Sequence, residues 1–166
     1  MADWVEGVAA GLDLLETTMR DVPERHHSIR AVFAHSWKLL SAEERVVFLQ
    51  IAVFRGGFTR TAAQAVAGAT LATLARLVDK SLIRAGRDGR YDIHELLRQF
   101  AEEKLRGDPG AEARTRHRHS TFYLEWLQRK DPELKGRQQL VALDEIEREF
   151  ENVRSAWEWA LKYAQW

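Results

Sequence analysis

The sequence contains no motif that binds nucleotide phosphates and no pairing of side chains suited to covalent catalysis. Neither G-x-x-x-x-G-K-S/T nor G-x-G-x-x-G occurs, and Gly56-Gly57 is followed by Phe58-Thr59, a pattern that ends one helix and starts another. The absence of cysteine also removes thiolate chemistry and the commonest zinc sites. We therefore expect no enzymatic activity and no cofactor in the isolated chain.

Histidine and carboxylate pairs are present, but their spacing does not suit metal binding or acid-base chemistry. His26-His27 are adjacent and His117 and His119 lie two apart, so neither pair shares one face of a helix. Glu43-Glu44 and Glu102-Glu103 fall in helical patterns, where we expect solvated faces that aid capping and solubility. No metal site is predicted.

His94 is the residue whose position best suits a chemical role. It lies in Tyr91–Leu97, where an extended run gives way to a helix. A helix N-terminus favours an anion through its free N–H groups and dipole, and an imidazole beside it could donate to a phosphate oxygen. The alternative is that His94 caps the helix or packs under the neighbouring hairpin, and the residues alone favour this alternative.

The remaining chemistry to weigh is DNA binding by the helix predicted over residues 71–80. Its exposed positions are expected to be Ala72, Thr73, Ala75, Arg76, Asp79 and Lys80. None of these is an amide side chain that would read a base edge, although Arg84, Arg87 and Arg90 could contact phosphates. The 25 basic and 25 acidic residues balance, so the composition does not favour a nucleic-acid partner.

Helical periodicity and capping residues organise the part of the chain that would position these groups. Ser28, Ser41, Thr59 and Thr70 are expected N-caps, and Glu44 completes a capping box with Ser41. Apolar spacing predicts helices over residues 4–20, 29–40, 42–54, 60–67 and 71–80. The predicted core comprises Phe33, Trp37, Phe48, Ile51, Leu74, Leu77 and Leu97.

The period then changes, which indicates a β-hairpin and two further groups of helices. Residues 81–85 and 90–93 are extended runs joined by a turn with Asp88-Gly89, and a helix follows over 95–105. Gly107–Gly110 marks a boundary before helical stretches at about 111–130 and 137–164. The order predicts a mainly α fold, with a winged-helix domain over 28–106, a small β-hairpin wing, and a helical hairpin over 111–166.

Several features predict a cytoplasmic protein without a membrane partner. The chain lacks cysteine, and no apolar run approaches the length of a membrane span. Its first residues include Asp3 and Glu6 and lack the basic start of a signal peptide.

Four blocks in order resemble the bacterial signal-transduction ATPases with numerous domains (STAND), the NB-ARC-like and LuxR-type large regulators. The blocks are Pro23–His26 through Trp37, Phe54–Thr59, Leu77–Leu82 and His94–Ala101. The resemblance implies that residues 1–27 end an upstream ATPase module and that 111–166 begin tetratricopeptide-like sensor helices. It aligns Ile93-His94-Glu95 with the family's Met-His-Asp motif, so His94 would contact the β-phosphate of ADP once the ATPase core is present.

The function implied is a non-catalytic regulatory switch of a multidomain signalling ATPase. The winged helix would pack on the upstream ATPase core and hold its ADP-bound, autoinhibited state, while downstream helical repeats relay a signal. ADP or ATP with magnesium would bind the full-length parent, which could oligomerise on activation. The alternative from a different class is a DNA-binding winged-helix transcription regulator.

Overall fold

The computed structural model describes residues 36–163, which belong to one compact unit. The predicted segment 1–27 and most of the predicted helix 29–40 lie outside the described residues, although residues 36–38 are helical. In chain order the elements are α1 (Ala42–Ile51), β1 (Phe58–Thr59), α2 (Arg60–Ala67), α3 (Leu71–Asp79), β2 (Arg84–Ala85), β3 (Arg90–Asp92), α4 (Glu95–Arg106), α5 (Pro109–Leu134) and α6 (Gln139–Tyr163).

Local capping interactions start the helices where the sequence predicts them. The Ser41 hydroxyl accepts from the Glu44 N–H, and the Glu44 carboxylate accepts from the Ser41 N–H, which completes the capping box. The hydroxyls of Thr59 and Thr70 cap α2 and α3. Gly68 ends α2 in the left-handed conformation, with a φ of 64° that glycine adopts without steric cost.

A three-stranded antiparallel sheet contains the predicted hairpin and one strand that was not predicted. β3 is central, with β2 on one side and β1 on the other. Phe58 of β1 is opposite Tyr91, and Arg84 of β2 is opposite Asp92. The sheet and the preceding helices give a mainly α, winged-helix-like fold, as predicted.

The core of this domain is built on the predicted stripe residues. Phe48, Ile51, Leu74 and Leu77 are fully buried, and Leu97 is also buried. The predicted core residue Phe33 lies outside the described residues.

Trp37 joins this core through edge-on aromatic contacts with two helices. Its ring meets Phe48 of α1 and Phe100 of α4, with ring centroids 6.1 and 5.8 Å away. The predicted burial of Trp37 is confirmed, because only 8% of the residue is exposed.

The last two helices form a hairpin, and α5 also packs against α2 and α4. Pro109 occupies the first turn of α5, where its missing N–H costs no hydrogen bond. Proline in the middle of a sequence usually indicates a break between helices, yet Pro132 lies inside the last turn of α5. A proline there removes one helical hydrogen bond near an end that terminates at Leu134 in any case.

No single helix within residues 36–163 is long and apolar enough to cross a bilayer. Within these residues, α2 and α3 reach the length and apolar composition of a membrane span only when they are taken together, and the chain bends by 104° between them.

Candidate functional site

The helix α3 presents a small and largely uncharged exposed face. Thr73, Leu74 and Leu77 are buried, whereas Ala72 and Ala75 are exposed. The predicted exposure of Thr73 is wrong, because its hydroxyl bonds with the Thr70 hydroxyl and its side chain is turned toward α1. The exposed face therefore offers few groups that could read a base edge.

Arg76 of α3 and Lys80, the residue that ends α3, are both paired with a buried carboxylate of α1. The Glu44 carboxylate accepts from Arg76 at 2.9 Å and from Lys80 at 2.7 Å, and Lys80 also donates to the Leu39 carbonyl at 3.0 Å. The hydrogen bond from Lys80 lowers the pKa of Glu44, with a further contribution from the Ser41 N–H. Glu44 was expected on a solvated face, which is wrong, because the capping box also holds it inside the α1–α3 contact.

The wing carries two guanidinium groups that point to solvent. Arg84 of β2 and Arg87 of the turn are both exposed, and neither makes an ion pair within residues 36–163. Arg90 is only partly exposed, and its guanidinium pairs with Glu149 of α6. Of the three wing arginines, two are therefore available to an anionic partner.

His94 caps α4, as the structural alternative predicted. Its Nδ1 atom accepts from the Leu96 N–H at 3.3 Å. The side chain borders a cleft of about 430 Å³ whose lining also includes Arg55, Arg84 and Arg98. The predicted contact of His94 with ADP is untested and stays a prediction.

Two of the three cleft arginines are held by Glu102. Within residues 36–163 the Glu102 carboxylate meets Arg116 at 2.7 Å, Arg55 at 2.8 Å, Arg98 at 2.9 Å and Arg106 at 3.3 Å. Burial would raise the pKa of Glu102, but the hydrogen bonds and charges of Arg116 and Arg55 outweigh it and hold that pKa at about 2. Glu102 was expected on a solvated face, which is wrong, because only 5% of the residue is exposed and Arg116 of α5 pairs with it.

The hairpin α5–α6 docks on the winged helix through a buried asparagine. Asn152 accepts from the Arg55 N–H at 2.7 Å and donates to the Gly57 carbonyl at 2.9 Å. Gly57 has a φ of 86°, and a Cβ there would lie 2.9 Å from the Tyr91 carbonyl, so only glycine fits between β3 and α6.

Two further buried groups complete this contact. Glu149 pairs with Arg90 of β3 and accepts from the Tyr123 hydroxyl at 2.9 Å. His119 lies 3.5 Å from the Asn152 carboxamide oxygen, and burial lowers the pKa of this imidazole to about 4. Sequence reasoning missed this set, although Ala142, Glu149 and Ala156 recur every seven residues on the side of α6 that faces α5.

Among residues 36–163, no group of three or more potential metal ligands is close enough to hold an ion. The geometry thus offers two exposed wing cations, a cleft beside His94, and a rigid contact between the wing and α6.

The sequence of this chain is similar to part of the sequence of mycobacterial proteins that are described as regulators. Proteins of Mycobacterium tuberculosis (strain ATCC 25618 / H37Rv) and Mycobacterium bovis are each described as a "Putative HTH-type transcriptional regulator". Each is 37% identical over 169 residues, which covers 92% of this chain and 19% of the relative. The chain therefore spans about a fifth of these relatives' length. No family model and no solved structure matches it.

These relatives overturn the interpretation drawn from the four sequence blocks. They are described as HTH-type transcriptional regulators, so the assignment to STAND or NB-ARC-like, ADP-binding signalling ATPases is wrong. The predicted packing on an ATPase core is therefore wrong as well, and so is the predicted oligomerisation of an activated ATPase. The expectation that nucleic acid is an unlikely partner is contradicted as well, because these relatives are described as HTH-type transcriptional regulators.

Proposed function

We propose that this chain is a non-catalytic winged-helix module of a larger, cytoplasmic HTH-type transcriptional regulator and that its wing contacts duplex DNA. The observation that carries the proposal is the β1-β3-β2 sheet with two exposed wing arginines, in a chain 37% identical to described HTH-type regulators. In winged-helix and HTH domains generally, one helix enters the major groove while neighbouring elements contact the DNA backbone.

The arrangement of charge favours backbone contacts over reading of bases. Arg76 and Lys80 are paired with Glu44, and the other exposed residues of α3 are Leu71, Ala72, Ala75 and Asp79. Arg84 and Arg87 point to solvent and can reach phosphate oxygens. We therefore expect weak DNA binding with little sequence preference, with a Kd of about 1–100 µM at physiological salt.

The test is a fluorescence anisotropy titration of this chain with labelled duplex DNA at several salt concentrations. Two phosphate contacts predict a plot of log K against log salt with a slope of about −2. Arg84→Ala combined with Arg87→Ala should flatten that slope toward zero and weaken binding at low salt. Arg129→Ala, an exposed change on α5, is the matched control and should change neither quantity.

A second variant tests whether pairing with Glu44 keeps Arg76 and Lys80 from contacting DNA. Glu44→Gln keeps a side chain that can close the capping box but removes the charge that holds Arg76 and Lys80. Two released cations should steepen the salt slope from about −2 to about −4. DNA affinity that is unchanged by both the wing variant and Glu44→Gln, or no binding at low salt, would overturn the proposal.

A further inference from the structure

The helix α6 leaves a row of large apolar side chains uncovered. Leu143, Phe150 and Trp157 are 47%, 54% and 52% exposed, and Leu140 and Leu161 near the helix ends are 82% and 57% exposed. The apolar residues from Leu140 to Leu161 recur at three- and four-residue spacing, which predicts an apolar stripe along this helix, yet α5 packs instead against the side that carries Ala142, Glu149, Asn152 and Ala156. An apolar row of this length on one helix indicates an interaction surface.

The order of residues along this row is self-complementary when one helix is reversed against a second copy. Leu143, Phe150 and Trp157 are seven apart and so lie almost above one another. In an antiparallel pair centred on Phe150, Leu143 of one copy lies opposite Trp157 of the other. In nearly the same register, Leu140 lies opposite Leu161.

The charges that flank the row obey the same symmetry. Glu147 and Arg154 border it on one side, also seven apart, and the antiparallel register sets Glu147 of one copy against Arg154 of the other. A parallel pair would instead put these residues of the two copies on opposite sides of the seam, so Glu147 of one copy could not meet Arg154 of the other. Within residues 36–163, Arg154 makes exposed pairs with Glu151 and Glu158, which are weak and easily exchanged.

We propose that two copies of this chain associate through these α6 faces as an antiparallel, two-fold symmetric dimer. A closed two-fold interface uses the same patch on both copies, as this row allows. The 25 residues of α6 span about 37 Å, and a strip roughly 10 Å wide buries less than the ~800 Å² per partner of a standard interface. An interface of this size is typical of weak, transient association.

Sedimentation equilibrium of the chain over about 1–300 µM measures the association directly. Charge reversal at one side, Glu147→Arg or Arg154→Glu, should weaken the dimer about tenfold or more, and the double reversal should restore it. Arg148→Glu alters an exposed residue on the opposite side of α6 and should leave association unchanged. A monomer at every concentration would overturn the proposal and indicate that another segment or protein covers this face.

Cysteine cross-linking tests the register, because the chain has no cysteine of its own. Phe150→Cys should form a disulfide-linked dimer. Leu161→Cys alone should not, because the two sites are about 30 Å apart in the antiparallel pair. A mixture of Leu140→Cys and Leu161→Cys should cross-link. Efficient self-linking of Leu161→Cys would show a parallel arrangement and overturn the proposal.

Discussion

The carboxamide oxygen of Asn152 accepts a hydrogen bond from the backbone N–H of Arg55 at 2.7 Å, across 97 positions of sequence. The same side chain donates to the Gly57 carbonyl, so one buried amide satisfies one N–H and one carbonyl of the segment between α1 and β1. This contact fixes α6 against the winged helix, because an unpaired backbone group in a buried turn is costly.

We predict that Asn152→Ala destabilises the fold by about 2–4 kcal/mol. It leaves the Arg55 N–H and the Gly57 carbonyl without their partner, at roughly 1–3 kcal/mol for each buried unsatisfied group. Urea denaturation followed by circular dichroism measures the free energy of unfolding. Arg148→Ala on the exposed side of α6 is the control, and a loss as small as that of the control would contradict the assigned role of Asn152.

Glu102→Gln should destabilise the fold by about 3–5 kcal/mol. The change leaves the partly buried guanidinium group of Arg55 without its carboxylate and removes one of the two carboxylates that pair with Arg116. Glu103→Gln, the neighbouring exposed residue, should change the free energy of unfolding by less than about 0.5 kcal/mol. Equal effects of the two substitutions would mean that the arginine cluster does not depend on the charge of Glu102.

His119 should make stability fall as the solution is acidified. Burial lowers the pKa of its imidazole from 6.5 to about 4, so between these values the unfolded chain binds a proton that the folded chain excludes. The stabilisation is complete above about pH 6.5 and up to about 3 kcal/mol is lost as pH falls toward 4.

Unfolding measured between pH 7 and 4.5 checks this dependence on His119. His119→Phe keeps an aromatic ring beside Phe54 and Tyr123 and should flatten the curve. His117→Ala, an exposed change on the same helix, should keep the wild-type slope. A slope that survives in His119→Phe would assign the pH dependence to other groups.

Trp37→Ala should cost about 3–5 kcal/mol, the usual loss when a large buried aromatic side chain is removed. The indole packs edge-on against Phe48 and Phe100, so its removal opens a cavity at the junction of α1 and α4. Leu39→Ala nearby is a suitable control because Leu39 is 57% exposed. A melting temperature unchanged by Trp37→Ala would rule out this packing.

Much of the local structure follows from the sequence because its causes lie within a few residues. The capping box joins Ser41 and Glu44, three positions apart, and Thr59 and Thr70 cap their helices over the same short range. The hairpin turn was read from Asp88-Gly89, where Gly89 adopts a φ of 76°. Periodicity likewise identified the core of the winged helix, because burial of one apolar face is what stabilises such helices.

The sequence by itself therefore determined the helices of residues 36–163, the hairpin and the mainly α fold. The tertiary structure alone decided the pairing of β1 with β3, the burial of Glu44 and Glu102, and the face of α6 that packs inward. Apolar periodicity favoured the stripe containing Phe150, yet the packed side carries Asn152. Those outcomes depend on partners far along the chain, such as the Arg55 N–H, which lies 97 positions from Asn152 and needs a hydrogen bond only once folding has buried it.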